Sequence, residues 1–166
     1  MTAVGDGRLA SASLDKTVRV WDASSGVCLL VLEGHTHYVQ SVTALGDGRL
    51  ASASSDNTVR VWDASSGVCL RMLEGHTSKV SSLTALGEGR LASASREYNA
   101  DKTVRLWDAS SGVCLRVLEG HTEHVNSVTA LGDGRLASAS FDKTVRVWDA
   151  SSGVVCACWR GTRALC

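Results

Sequence analysis

A period near 41 residues governs this chain. Trp-Asp pairs stand at Trp21-Asp22, Trp62-Asp63, Trp107-Asp108 and Trp148-Asp149, spaced 41, 45 and 41 residues apart. Gly-His pairs at Gly34-His35, Gly75-His76 and Gly120-His121 follow the same spacing, 41 and then 45. The extra four residues come from one place: SASSDNTV and SASFDKTV become SASREYNADKTV, so Arg96 to Ala100 reads as a loop insertion. A fixed period of this length marks a stacked or radial array, in which a unit buries its apolar face only against its neighbours.

Within the unit the segments are short. VQSVTAL, RLASAS, TVRVW and VCLRVLE run 5 to 7 residues each and are rich in Val, Leu, Thr and Ser, which predicts strands rather than helices. The chain has no proline, so its turns fall to Gly, Asp, Asn and Ser. GDG, replaced once by GEG at Gly87 to Gly89, suits a tight hairpin. DASSG suits a longer turn whose Asp and Ser bond nearby backbone. Each unit therefore predicts four antiparallel strands, a to d in chain order. Alternating direction puts the d–a and b–c connections on one face and the a–b and c–d connections on the other.

Gly-His followed by Trp-Asp, at this period and with four strands per unit, resembles the WD40 repeat of β-propellers. The resemblance extends to about Val154. It implies an all-β fold of four WD40 blades: blade 1 about 2–33, blade 2 about 37–74, blade 3 about 78–119 and blade 4 about 123–154. Such blades commonly close as a ring of about seven, a wedge of roughly 51° each, so four sweep only about 206°. An open, incomplete propeller is expected, with apolar faces and strand edges exposed at its ends. Self-association through those ends follows, including two copies in one eight-bladed ring.

The resemblance also implies a buried hydrogen-bond quartet in each blade. Blade 2 would use His35, Ser52, Asp56 and Trp62; blade 3 His76, Ser93, Asp101 and Trp107; blade 4 His121, Ser138, Asp142 and Trp148. Blade 1 keeps Ser11, Asp15 and Trp21 but lacks the His. The chemistry is coherent in its own right. A buried indole N–H needs an acceptor, serine can accept it and bond onward to His, and Asp can accept from the His ring. Ser54 lies on the same strand face as Ser52, and the residues do not choose between them.

Several function classes are disfavoured. Lys+Arg and Asp+Glu are both 17, and this zero net charge argues against a nucleic-acid partner. No apolar run reaches a membrane span of roughly 18 residues, and no signal peptide opens the chain, so an intracellular, cytoplasmic or nuclear protein is expected. Cys28, Cys69 and Cys114 each follow SSGV, one per repeat, which fits strand positions rather than converging metal ligands. Ser, His and Asp together suggest a hydrolase triad, but the set recurs with a Trp in register and no nucleophile elbow is present. No enzyme, cofactor or metal site is expected.

The copies diverge on the d–a/b–c face. After GHT stand His37-Tyr38, Ser78-Lys79 and Glu123-His124; Ser55 and Phe141 precede the turn aspartates; and Arg96, Glu97, Tyr98, Asn99 and Ala100 form the insertion. Exposed aromatics beside charges of both signs mark this face for a protein or peptide partner. The resulting expectation is a non-enzymatic interaction scaffold. The alternatives are a targeting or sensor module of a larger enzyme, a ligase or NTPase, or a non-functional gene fragment. The recurrent Arg19, Arg60, Arg105 and Arg146 in strand c are read as lying on a solvated outer strand.

After Val154 the pattern stops at VVCACWRGTRALC, so strand d of blade 4 is expected to be lost and 155–166 to be an aberrant tail. One set of codons for Val155 to Arg163, read two bases on, translates as VRVLEGHT, the string the pattern calls for. An out-of-frame tail follows, and its Cys156 and Cys158 would not form a redox motif.

Overall fold

A computed structural model of the chain describes residues 1–96 and 101–161. Among these residues the regular structure is all strand, in four antiparallel sheets of four. The first holds β1 (Thr2–Gly5), β2 (Arg8–Ala12), β3 (Val18–Asp22) and β4 (Cys28–Leu32). The second holds β5 (Val39–Ala44), β6 (Arg49–Ser54), β7 (Val59–Asp63) and β8 (Cys69–Leu73). The third holds β9 (Val80–Gly87), β10 (Arg90–Ser95), β11 (Val104–Asp108) and β12 (Cys114–Leu118). The fourth holds β13 (Val125–Gly132), β14 (Arg135–Ser140), β15 (Thr144–Asp149) and β16 (Val155–Arg160). Each sheet is a meander, with neighbours in space also neighbours in sequence.

The period-two alternation of side chains decides which way each residue packs. In the second sheet, Leu50 and Trp62 face the first sheet, with Leu32, Val18 and Val20. Ala51 and Ala53 point the other way and pack with Leu83, Leu91 and Trp107 of the third. The third sheet's Ala92, Ala94, Leu106 and Leu118 then meet Leu136 and Trp148 of the fourth. Three core clusters thus join successive sheets, and among the described residues none joins the fourth to the first.

One contact recurs at every internal joint. The last residue of the outer strand drops onto the glycine of the next sheet's DASSG turn. A Cβ on Gly67 would lie 3.0 Å from Leu32 Cδ2, one on Gly112 3.5 Å from Leu73 Cδ2, and one on Gly153 3.3 Å from Leu118 Cδ2. Gly67 also has φ +77°, a conformation that side chains with a Cβ disfavour.

The fourth sheet is complete, contrary to the expectation that its outer strand would be lost. β16 pairs with β15 from Trp148↔Val155 to Thr144↔Arg160. The reason lies in what an outer strand must supply. Its backbone completes the ladder, while most of its side chains face solvent, as Leu29, Val31, Leu70 and Met72 do on β4 and β8. Val155-Cys-Ala-Cys-Trp-Arg160 satisfies that requirement without the repeat's own residues. Residues 162–166 lie outside the described residues.

Candidate interaction face

Two sets of backbone bonds fix the two faces of the array. On one, Ala64 N–H donates to Gly48 O at 2.9 Å and Ala150 N–H to Gly134 O at 2.8 Å, tying each c–d turn to its a–b hairpin. On the other, Ser55 N–H donates to Tyr38 O at 2.9 Å, Arg96 N–H to Lys79 O at 2.8 Å and Phe141 N–H to His124 O at 3.1 Å, tying the b–c turns of the second, third and fourth sheets to the d–a connections before them.

The second face rests on the quartets. In the second sheet Trp62 Nε1 donates to Ser52 Oγ at 2.8 Å, and Ser52 Oγ lies 2.8 Å from His35 Nε2. His35 Nδ1 is in turn 2.8 Å from Asp56 Oδ2. The third sheet repeats this with Trp107, Ser93, His76 and Asp101 at 2.8, 2.7 and 2.5 Å. The fourth uses Trp148, Ser138, His121 and Asp142, each step 2.7 Å. Ser54 is engaged elsewhere, since its hydroxyl donates to His37 O at 3.0 Å and accepts from Asp56 N–H at 3.1 Å. That division settles which serine of SAS meets the indole.

One proton arrangement satisfies every atom of a quartet. The indole N–H donates to the hydroxyl, the hydroxyl to Nε2 of a neutral imidazole, and Nδ1–H to the carboxylate. Electrostatics favour this state. Burial pushes the His35 and His121 pKa values below the ordinary 6.5, opposing the pull of Asp56 and Asp142. Burial works to raise the Asp56 pKa, but hydrogen bonds from Thr58 and His35 outweigh it and bring it to about 2. Asp101 likewise reaches about 2, with burial outweighed by His76 and Thr103.

The first sheet follows a different course. Trp21 Nε1 still donates to Ser11 Oγ at 2.8 Å, but Asp15 faces Arg19 Nη2 at 3.0 Å in place of an imidazole. Its carboxyl is also held by the Thr17 hydroxyl, and its pKa falls to about 2.

The recurrent arginines are not on an outer strand. They sit on β3, β7, β11 and β15, each third of four, with the d strand outside them. The Arg146 guanidinium lies 5.9 Å from the Trp148 ring centroid. Arg60 Nη1 lies 3.0 Å from where a Cβ on Gly34 would be. The glycine of Gly-His therefore makes room for an arginine lying across the indole. The only sequence signal for this is the constancy of VRVW and VRLW beside GH.

Over this platform lie the loop residues. His37 stacks edge-on against Tyr38 at 4.4 Å between centroids, and Gln40 Nε2 donates to Ser55 Oγ at 2.8 Å. The structure brings Arg96, Phe141 and His124 together across two sheets: the Arg96 guanidinium lies 5.7 Å from the Phe141 centroid, and His124 is 4.1 Å from the same ring. Arg96 also lines a cleft of about 230 Å³ with Gln40, Lys79 and Ser81. Glu97, Tyr98 and Asn99 lie outside the described residues. Among the described residues, no group of three or more His, Cys, Asp or Glu side chains could hold a metal ion.

A ladder of four-stranded antiparallel sheets, each keyed by Trp and Asp and three of them by His, defines a class of repeat protein. The chain matches the WD domain, G-beta repeat family (WD40) over residues 3–22, 26–63, 67–108 and 112–149, and it belongs to that family. It is similar to the Lissencephaly-1 homolog of Glossina morsitans morsitans, 57% identical over 35 residues, and to nuclear distribution protein PAC1 of Arthroderma benhamiae, 56% identical over 34. These stretches are 21% and 20% of this chain but only 8% and 7% of the two relatives. Proteins of the WD40 family are typically interaction scaffolds without catalytic activity.

Proposed function

We propose that this chain is a non-enzymatic scaffold that holds a protein or peptide on its d–a/b–c loop face. The observation that carries the reading is the position of Arg96, which lines the polar cleft beside Lys79 and also covers the exposed ring of Phe141. A cation, an amide and an aromatic surface within one patch suit a peptide that offers a carboxylate and an apolar side chain. Catalysis by the His-Ser-Asp sets is disfavoured because Ser52 and Ser93 are fully buried beneath their indoles. A reducing, intracellular setting suits the unbridged Cys28, Cys69, Cys114, Cys156 and Cys158. The zero net charge leaves nucleic acid a poor partner. Among the described residues the outer faces of the first and fourth sheets meet no further sheet, which adds self-association to the reading.

Comparative affinity capture tests it. The whole chain, the double variant Arg96→Ala/Phe141→Ala and a control on the opposite face, Ser65→Arg, serve as baits. Proteins retained by the chain and the control but lost from the double variant are the expected result. Equal retention by all three overturns the reading. A targeting module within a larger enzyme uses the same face and is recognised by a catalytic domain on the full transcript. A gene fragment is recognised there by a stop within a longer array of repeats.

A further inference from the structure

We propose that two copies of this chain join head to tail, the fourth sheet of one seated on the first sheet of the other, with Trp159 entering the cleft above Gly26. This rests on the self-association reading above and is independent of the loop-face reading. The argument starts from the internal joints, which show what each kind of face accepts. The faces of sheets two to four that meet a preceding sheet carry a Leu, the Trp of Trp-Asp and the Ala that follows it. Leu50, Trp62 and Ala64 are all but inaccessible beneath the first sheet. The corresponding Leu9, Trp21 and Ala23 of the first sheet line a cleft of about 260 Å³ with Met1 and Gly26, open to solvent.

The glycines report the same difference. Gly67, Gly112 and Gly153 each carry a leucine methyl from the sheet before, whereas among the described residues a Cβ on Gly26 would meet nothing within 4 Å. At the other end of the chain stands the matching half. Val145 pairs with Trp159 as Val104 pairs with Leu118, so Trp159 holds the register of the leucine that covers each turn glycine. It is 57% exposed, and Val145 beside it is 38% exposed, where Leu118 and Val104 are buried.

A polar contact completes the match. Arg8 Nη1 crosses the first joint to Ala64 O at 2.8 Å. Arg135 holds the equivalent place on the fourth sheet, half exposed and paired with Asp133 at 2.7 Å, and in the proposed joint it faces the Ala23 turn of the incoming copy. The two uncovered faces are thus the two halves of a joint the chain already makes three times. A second copy supplies both. Such a contact is heterologous, and it closes without propagating when each copy contributes half of the ring. Eight sheets fall within the size range of propellers.

Sedimentation velocity over a concentration series tests this with the whole chain and three variants at exposed positions: Ala23→Arg, Trp159→Asp and Trp159→Leu. The wild type is expected to pass from monomer to dimer. Ala23→Arg and Trp159→Asp, each alone, should weaken association by about tenfold or more, while Trp159→Leu keeps it. An equimolar mixture of Ala23→Arg and Trp159→Asp should restore a one-to-one complex, because each retains the face the other has lost. Circular dichroism of each variant confirms the strand content first. A wild type that stays monomeric overturns both this proposal and the self-association reading. A dimer untouched by either variant, or a mixture that fails to associate, overturns this joint and leaves self-association through another surface.

Discussion

Leu32 sets its Cδ2 3.0 Å from where a Cβ on Gly67 would lie, although the two residues belong to different sheets. Gly26 has nearly the same φ, +72° against +77°, but among the described residues no neighbour within 4 Å of a Cβ. The pair separates backbone strain from packing. Gly26→Ala should destabilise by the left-handed penalty alone, about 1–2 kcal/mol. Gly67→Ala should cost about 1–3 kcal/mol more, because Leu32 is buried and must shift. Urea unfolding of both variants, at dilution low enough to keep the chain monomeric, measures the difference.

Removing one hydroxyl tests the quartets. Ser52→Ala strands the Trp62 N–H and the His35 Nε2 in a site closed to water, and a loss of about 1–3 kcal/mol is expected. Ser11→Ala removes only the Trp21 contact, beside an indole that water can reach, and should cost less than half as much. Denaturant midpoints of the two variants, compared with wild type, give the ratio.

Acid should weaken the fold in two stages. His35 and His121 have folded pKa values depressed below 6.5, so the unfolded chain takes up protons first. Their contribution is complete above pH 6.5 and is lost as pH falls through the folded values. Asp56 and Asp101 are depressed to about 2 from 3.8, so theirs is complete above pH 3.8 and is lost as pH falls through 2. Thermal midpoints recorded from pH 7.5 to pH 2.5 should decline in both windows, and His35→Gln should flatten the upper decline.

On the loop face the expectation is the reverse. Phe141 is 52% exposed and Arg96 is solvent-facing, so Phe141→Ala and Arg96→Ala should change stability by no more than about 0.5 kcal/mol. A thermal midpoint within a degree or two of wild type, together with lost partner capture, distinguishes binding residues from structural ones.

Much of this is legible in the sequence because the same message arrives several times. Trp62, Trp107 and Trp148 share a register, and so do His35, His76 and His121, so strand order and the quartets' membership can be read by aligning the chain with itself. Where copies agree on two candidates, self-comparison is silent. Ser52 and Ser54 recur equally, and only coordinates show that one serves the indole and the other the His37 carbonyl. The arginines escape a sequence reading because their constancy resembles that of any surface strand, and contact with Gly34 is a matter of depth rather than pattern. β16 escapes it for the opposite reason. Its residues depart from the repeat, but an outer strand is held by its backbone, which composition barely constrains.

The Leu-on-Gly joint gives the gene unusual latitude. Leu32 and Leu73 are interchangeable, as are Gly67 and Gly112, so excising one whole period between them would leave Leu32 facing Gly112 across an unchanged seam. Duplicating a period would insert a sheet just as cleanly. Unequal crossing-over between such near-identical stretches can therefore lengthen or shorten the array without any compensating substitution, provided it acts in full periods; a break at any other place leaves a leucine with no glycine beneath it.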